Sequence, residues 1–401
     1  MKKSGKIIAV LSAAAIASSM CMTGISAGEY ITEDSCAVCE ADDNEKESIG
    51  ISTAKELMSM KKDGVYHLEN DIDLSGVRWK SVSGFKGVLD GNGYEIKGLT
   101  SDTYGLFSTV GTGARIRNIK LTDAYITSKY SCVGGIVSQI PSYVSDVQVT
   151  DCFVSGVVAS CRRMHGMKTG GTAGAVVGQN ASMTGAVISD CYSNAVVAAD
   201  ARAGGIVGSN SGKISRCVFE GYIASSYNVY ELAVKDGGEF TDDYLYLKYA
   251  GGICAVNSGT VEYCTNAGVL YDLAEYYGGI AGYVQNKKDS SIISCVNGSQ
   301  IPFDDYGTGG LIAGYANPKA AVEGCYTLTP DKNSVTVDIG KGKKKTVTYA
   351  VSEKNFGNLK YFRRLKGSWS SVNGMPSMSS FAGSEHLWEI RGARLVSMRN
   401  Y

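Results

Sequence analysis

The chain has 401 residues, of which 44% are hydrophobic, with 50 glycines, 5 prolines and a formal net charge of +0. Glycine at this density without a strict triplet excludes collagen, and the hydrophobic share excludes wholesale disorder. Because proline cannot donate to a strand ladder, its scarcity suits a chain made mostly of paired strands.

The first 27 residues have the composition of a secretion signal. Lys2, Lys3 and Lys6 form a basic start, an apolar run follows, and a small-residue cleavage site ends at Ala27. A membrane anchor is the alternative, but the apolar run is shorter than the roughly 20 residues that a span needs. We therefore expect an exported protein, secreted or held at the cell surface, with no transmembrane segment after cleavage.

Cleavage changes the charge balance only slightly. It removes three lysines and no acids, so the 39 basic side chains become 36 against 39 acidic ones, a net charge of −3. This balance gives no support to nucleic-acid binding, which needs a basic face.

Residues 28–50 are polar and acidic, which predicts a flexible mature N-terminus. They contain one isolated cysteine pair, Cys36 and Cys39, and nothing nearby completes the about four ligands that a metal site needs. The sequence predicts neither a metal nor another cofactor.

A short helix is predicted over residues 53–62. Thr53 and Glu56 have the spacing of a capping box, and Gly64 can end the helix. We expect this helix to cap one end of the molecule. Short alternating runs follow, with Asp-Gly and Asn-Gly turn signals over residues 90–93, and these predict strands.

A repeat then dominates the chain. Glycine-start strand signals recur at intervals of 40, 30, 47, 27 and 32 residues, at Gly134, Gly174, Gly204, Gly251, Gly278 and Gly310. Each is followed 13 to 18 residues later by a cysteine, namely Cys152, Cys191, Cys217, Cys264, Cys295 and Cys325. Self-similarity at such a period is typical of a stacked-coil protein.

The clearest repeat covers residues 204–228. It predicts three strands, GGIVG, KISRCVF and GYIASSY, with a turn at Asn210 and Gly212 after the first. The inward residues are Ile206, Ile214, Cys217 and Ile223, or their immediate alternates. Asn180, Asn210 and Asn257 recur after the first strand, where stacked amides can bond to each other and hold left-handed turns.

These features predict an all-β, right-handed parallel β-helix of roughly eight or nine coils with a short N-terminal capping helix. We place the β-helix at residues 51–334 and a C-terminal cap with a hairpin and a helix at residues 335–401. Stacked cysteines about 4.8 Å apart lie near the range for disulfides. Buried free thiols fit the core equally well, and we favour them.

Insertions fall just before the glycine strands, so they project from one face of the solenoid. This face is rich in tyrosine and aspartate, and tyrosine offers a flat surface with a hydrogen-bonding tip. The candidate binding residues are Tyr227, Tyr230, Asp242, Asp243, Tyr244, Tyr246, Tyr249, Tyr276, Tyr277, Asp304, Asp305 and Tyr306. The alternative is that tyrosine is simply a good strand residue.

Residues 204–222, GGIVGSNSGKISRCVFEGY, and residues 251–270 resemble the GLUG repeat of bacterial secreted and surface proteins. The resemblance spans about residues 51–380 and implies a parallel β-helix. Such repeats occur in surface adhesion proteins and in non-catalytic parts of immunoglobulin-cleaving metallopeptidases. His67, His165 and His386 are the only histidines and form no HExxH, so the metallopeptidase motif is absent.

Two functions from different classes remain. The favoured one is a non-enzymatic, monomeric binding or adhesion solenoid whose partner is an extracellular glycan or a surface protein. The alternative is a carbohydrate-active enzyme, a polysaccharide lyase or glycosidase, which needs a pair of carboxylates. Its acids would be Asp242–Asp243 and Asp304–Asp305, with Arg162–Arg163 as bases, but none of these lies in a catalytic motif. A purely structural spacer is a third reading.

Overall fold

The computed structural model describes most of the chain between residues 47 and 377. The described residues are 47–162, 166, 169–226, 247–270, 274–285, 290–299, 301, 307–329, 347–352, 355, 359–362, 365–366, 370–372 and 375–377. The predicted signal peptide, the Cys36–Cys39 pair and the lysine-rich turn near residue 343 lie outside them.

Within the described residues, parallel strands form three long sheets. The first is the glycine sheet, whose strands end at the repeated glycines and whose register aligns them. Its strands are Cys132–Gly134, Thr172–Gly174, Arg202–Gly204, Leu247–Gly251, Ala274–Gly278 and Thr308–Gly310.

The second is the asparagine sheet, and each of the six glycine-sheet strands is followed by one of its strands after a two-residue corner. Its strands are Val82–Phe85, Phe107–Val110, Val137–Ile140, Val177–Asn180, Val207–Asn210, Cys254–Asn257, Ala281–Val284 and Ala313–Ala316.

The third is the cysteine sheet, which carries two sets of short strands in each coil. The strands before the cysteine position are Ile49–Ile51, Val65–Leu68, Val88–Asp90, Arg115–Arg117, Gln148–Thr150, Val187–Ser189, Lys213–Ser215, Thr260–Glu262 and Ser291–Ile293. The long strand Ala321–Thr329 runs through the cysteine position, and Val347–Ser352 pairs with it. The strands after it are Ile72–Asp73, Glu95–Lys97, Thr100–Ser101, Lys120–Ser128, Phe153–Ser160, Tyr192–Ser193, Val196–Ala199, Val218–Phe219, Tyr222–Ser225, Thr265–Asn266, Val269–Leu270 and Val296–Asn297.

Successive coils pair in parallel around one dry core, so the prediction of an all-β parallel β-helix is confirmed. The predicted inward residues Ile206, Ile214, Cys217 and Ile223 are all fully buried, as is Phe219. Among the described residues, no helix is long and apolar enough to span a bilayer.

The N-terminal helix is shorter than predicted and covers Ala54–Met58. Its capping box is present, because Thr53 accepts from the Glu56 N–H and Glu56 accepts from the Ser52 N–H. Leu57 is buried in the core. The flexible N-terminus predicted over residues 28–50 is wrong at its end, since Ile49–Ile51 is a strand that pairs with Val65–Leu68.

The predicted strand GGIVG is in fact two strands joined by a corner. Arg202–Gly204 belongs to the glycine sheet and Val207–Asn210 to the asparagine sheet. A Cβ on Gly205 at the corner would lie 2.0 Å from the Gly252 carbonyl oxygen and 2.3 Å from Phe219 Cγ. The glycine pair is therefore a bend that brings two backbones together.

The solenoid continues beyond the predicted boundary at residue 334. Val347–Ser352 pairs in parallel with Ala321–Thr329. In the C-terminal region, the structure shows a 3-10 turn at Leu359–Tyr361 and an antiparallel hairpin of Ser370–Val372 with Met375–Ser377.

Candidate functional site

The six repeated cysteines form a column inside the cysteine sheet, and all are fully buried. Each thiol donates to the carbonyl oxygen two residues earlier, over 3.2 to 3.5 Å. The structure has them as free thiols. Burial raises the pKa of Cys191, Cys264 and Cys325 well above the ordinary range. Cys191, Cys264 and Cys325 are therefore protonated core side chains, without the thiolate that reactivity requires.

The residue before each of these cysteines bends the chain into the column. Asp151, Asp190, Arg216, Tyr263 and Ser294 all have φ between 49° and 56°, and Gly324 before Cys325 has a φ of 64°. The sequence predicts that the repeated asparagines hold left-handed turns, and that part of the prediction is wrong, because Asn180, Asn210 and Asn257 end extended strands and none of them has a positive φ.

The asparagines instead form a hydrogen-bonded interior column. Asn180 Nδ2 donates to Asn210 Oδ1 over 3.1 Å, and Asn210 Nδ2 donates to Asn257 Oδ1 over 3.0 Å. A second column, which the sequence analysis missed, joins Asn266 Nδ2 to Asn297 Oδ1 over 2.9 Å. Both columns are buried and hold the coils in register, so neither is accessible to a ligand.

Three of the predicted binding residues are described. Tyr249 and Tyr276 lie side by side in the glycine sheet, in register with each other. Tyr277 is 2% exposed and packs in the core, so it is not available at the surface. The other predicted residues lie outside the described part of the chain: Tyr227, Tyr230, Asp242, Asp243, Tyr244, Tyr246, Asp304, Asp305 and Tyr306.

Tyr249 and Tyr276 belong to a larger tyrosine cluster with Tyr283 and Tyr315. The Tyr249 and Tyr276 rings stack with centroids 5.7 Å apart, and those of Tyr283 and Tyr315 stack at 4.7 Å. The two pairs meet edge to face, since the Tyr276 and Tyr283 rings have an interplanar angle of 79° and centroids 5.3 Å apart. All four side chains are partly exposed. The cluster therefore joins the glycine sheet to the asparagine sheet over three coils.

Sequence reasoning missed Tyr283 and Tyr315, although a signal was present. Each lies five residues after a repeated glycine, Gly278 and Gly310 respectively, and the two pair in register. Because equivalent repeat positions become vertical neighbours, two tyrosines at the same position predict a stack.

Charged side chains flank the tyrosine cluster. Lys248 Nζ lies 5.6 Å from the centroid of the Tyr249 ring, and Arg202 Cζ lies 6.0 Å from it. Burial raises the pKa of Tyr276, with the Glu275 charge adding to the effect, and burial also raises the pKa of Tyr283. These phenols are therefore protonated at neutral pH and present hydroxyl donors.

Three of the insertions directly precede, in sequence, the strands at the tyrosine cluster. Residues 227–246 lead directly into Leu247–Gly251, and residues 271–273 lead into Ala274–Gly278. Residues 302–306 lead into Gly307, which directly precedes the strand Thr308–Gly310. All three thus join the chain at the strands that hold or neighbour the tyrosine cluster.

Of the predicted catalytic groups, Arg162 is the one that lies in the described part of the chain. The predicted carboxylate pairs and Arg163 lie outside it, and Arg162 is partly buried. Within those described residues, no group of three or more His, Cys, Asp or Glu side chains could hold a metal ion. His67 contacts Ser48 Oγ at 2.8 Å and lies 3.6 Å from Glu69.

The fold defines the class of the protein, a parallel β-solenoid. No protein-family model and no curated protein matches the chain. It is similar to a crystal structure from Bacteroides ovatus described as "a putative immunoglobulin A1 protease", with a TM-score of 0.46 and 18% identity, over 83% of this chain and 93% of that one. This likeness is too loose to carry an argument about activity, and the GLUG resemblance remains one of motif spacing.

Proposed function

We propose that the chain is a non-enzymatic binding solenoid, secreted or held at the cell surface, whose tyrosine cluster binds a glycan or another protein. The observation that carries this proposal is the contact of four partly exposed tyrosine rings across two sheets. A rigid aromatic surface with hydroxyl tips suits recognition at low cost in conformational entropy.

The support comes from contrast with the rest of the molecule. Interior positions repeat small or apolar residues and asparagine, and these are explained by packing and hydrogen bonding. The four tyrosines in contact are partly exposed, so packing in the core does not explain them. Aromatic residues are enriched at recognition surfaces, where they carry much of the binding energy.

The test is a glycan array and a panel of extracellular proteins, probed with the secreted form of the chain. We expect the paired variant Tyr249→Ala/Tyr276→Ala to lose binding of any ligand found, while circular dichroism stays unchanged. Tyr143→Ala is the matched control, because Tyr143 is 86% exposed and lies in a turn outside the cluster. Equal binding by the paired variant and the wild type would refute the site.

The enzyme alternative has its own readout. Incubation with a polysaccharide panel, followed by measurement of new reducing ends and unsaturated uronates, separates it from binding. Turnover by the variant Tyr249→Ala/Tyr276→Ala would favour the enzyme alternative, with the carboxylates of the insertions as its catalytic groups.

A further inference from the structure

One register position of the glycine sheet forms a column in which Thr172 is buried and Arg202, Tyr249 and Tyr276 are partly exposed. Cys132, Thr172, Arg202, Tyr249 and Tyr276 occupy one register position on successive strands. The three strands that carry Arg202, Tyr249 and Tyr276 lie about 4.8 Å apart and span about 10 Å along the solenoid axis. A ligand that reaches the tyrosine cluster along this column passes Arg202 on the way.

The cations of this column differ from those of the cysteine sheet. On that sheet, Arg117 Nε lies 2.7 Å from Asp90, and Arg216 contacts both carboxylate oxygens of Asp190. In the described residues, by contrast, no salt bridge joins a carboxylate to Arg202 of the column or to Lys248, which lies beside the column next to Tyr249. Asp200, two residues from Arg202, accepts instead from the Gly171 N–H.

Two further features extend the positive, aromatic character toward the N-terminal end of the glycine sheet. Arg162 Nε is buried and has no hydrogen-bond partner within the described residues. The charges of Arg162 and Arg202 both act on the Cys132 thiol, whose pKa is nevertheless raised by burial. Beside Cys132, Tyr104 and Tyr130 stack with ring centroids 4.6 Å apart.

We propose that this column binds an extended, carboxylate-bearing polysaccharide along the solenoid axis, with Arg202 and Lys248 contacting its carboxylates and the Tyr249 and Tyr276 rings contacting its sugars. The inference rests on the proposed binding function and names its ligand class. Sugar rings have an apolar face of C–H groups that packs on an aromatic ring, and guanidinium groups pair with carboxylates through two hydrogen bonds.

The geometry favours a polysaccharide over an acidic peptide. Peptides that bind β-structure commonly add a strand to an open sheet edge. The strands at Arg202 and Tyr249 are paired on both sides, so only the sheet face is offered here. A stiff polymer with evenly spaced charges suits a straight column whose positions repeat at the strand spacing.

The test compares polygalacturonate, alginate and hyaluronan with their carboxyl-reduced forms, using the whole exported chain in affinity electrophoresis and calorimetry. We expect at least one carboxylated polymer to bind more tightly than its reduced form. Arg202→Gln/Lys248→Gln should weaken that binding by about fivefold and leave the reduced form unaffected. Raised salt should mimic this variant, because screening weakens exposed charge pairs.

Two further variants test whether binding of the carboxylated polymer depends on charge at the column. Glu275→Gln removes the negative charge beside Tyr276 and should strengthen binding of the carboxylated polymer. Lys120→Gln/Lys319→Gln removes two exposed lysines outside the column and should change nothing.

Several outcomes would overturn the inference. Equal binding of reduced and carboxylated polymers, tighter binding of polyglutamate, or binding of none of the three polymers would each do so. If a neutral glycan or a protein still binds and that binding needs Tyr249 and Tyr276, the proposed function stands and only its ligand class is wrong. If the tyrosine variant has no effect on any ligand, both fail.

Discussion

The interior columns and the tyrosine cluster both stack side chains on successive coils, yet they do so for different reasons. Inside, Asn180, Asn210 and Asn257 satisfy one another's amides in a dry core. Outside, Tyr249 and Tyr283 contact each other edge to face at 5.4 Å and remain partly exposed. Repetition alone therefore does not mark a functional site, and the proposed binding site rests on large aromatic side chains that repeat where they are exposed.

The two regions should therefore respond differently to mutation. Interior substitutions should cost stability, and those in the tyrosine cluster should cost binding while the fold remains stable. Four predictions follow this contrast, in order of decreasing effect of each substitution on the free energy of unfolding.

The largest effect is expected from Gly251→Ala. The new Cβ would lie 1.9 Å from the Cys254 carbonyl oxygen, which is backbone and cannot move aside. We expect a loss of about 3 kcal/mol or more in urea denaturation, or failure to fold. Gly93→Ala is the control, since its Cβ meets nothing within 4 Å and only its φ of 85° is unfavourable, for about 1 kcal/mol. Similar losses in the free energy of unfolding for both variants would argue against the close backbone contact at Gly251.

Asn210→Ala should follow, with a loss of about 2 kcal/mol, because it leaves the buried amides of Asn180 and Asn257 without one partner each. Asn317→Ala is the comparison, since Asn317 is partly exposed and accepts from the Lys319 N–H in a turn. Chemical denaturation measures both. A loss at Asn210 no larger than that at Asn317 would contradict the interior column.

The thiols predict a pH dependence of stability. Burial raises the folded-state pKa of Cys191, Cys264 and Cys325, so the folded chain keeps these protons after the unfolded chain has lost them. Stability is then complete below the unfolded pKa of about 8.5 and falls as pH rises above it, by about 1 kcal/mol per thiol near pH 9.5.

The control for this dependence is the triple variant Cys191→Ala/Cys264→Ala/Cys325→Ala. Lysines and tyrosines titrate alike in both proteins, so the difference between their denaturation midpoints at neutral and alkaline pH isolates the thiols. An identical pH slope in the variant and the wild type would show that these cysteines are not buried neutral groups.

The smallest effect on stability is expected from Tyr249→Ala. Its ring is partly exposed and contacts Tyr276 and Tyr283, so the loss should stay under about 1 kcal/mol. The same variant should weaken ligand binding strongly, as measured on the array. A large destabilisation with no change in binding would make the cluster a structural feature and reverse the contrast.

Much of the interior was predictable from the sequence. Gly204, Ile206, Ile214, Cys217 and Ile223 recur in patterns that translate directly into stacked coils, and the structure buries the four apolar residues completely. The corner within GGIVG was not predictable, because a run of small residues fits one strand as well as two. Only the close approach of Gly205 to Gly252 in the next coil decides between them.

The candidate site was predictable in part. The tyrosine-rich segments pointed to Tyr249 and Tyr276, but alternation along the strand places the adjacent Tyr277 in the core. Tyr283 and Tyr315 join the cluster from a different sheet, across a corner whose angle no local pattern specifies.

The sequence by itself determined that the chain winds into stacked parallel coils with cysteines and asparagines at repeated positions, because the repeat spacing sets which residues become vertical neighbours. Only the tertiary structure decided which tyrosines meet and which cations of the described coils carry no ion pair. Those contacts join residues of different sheets, and their distances depend on how the corners bend rather than on the repeat.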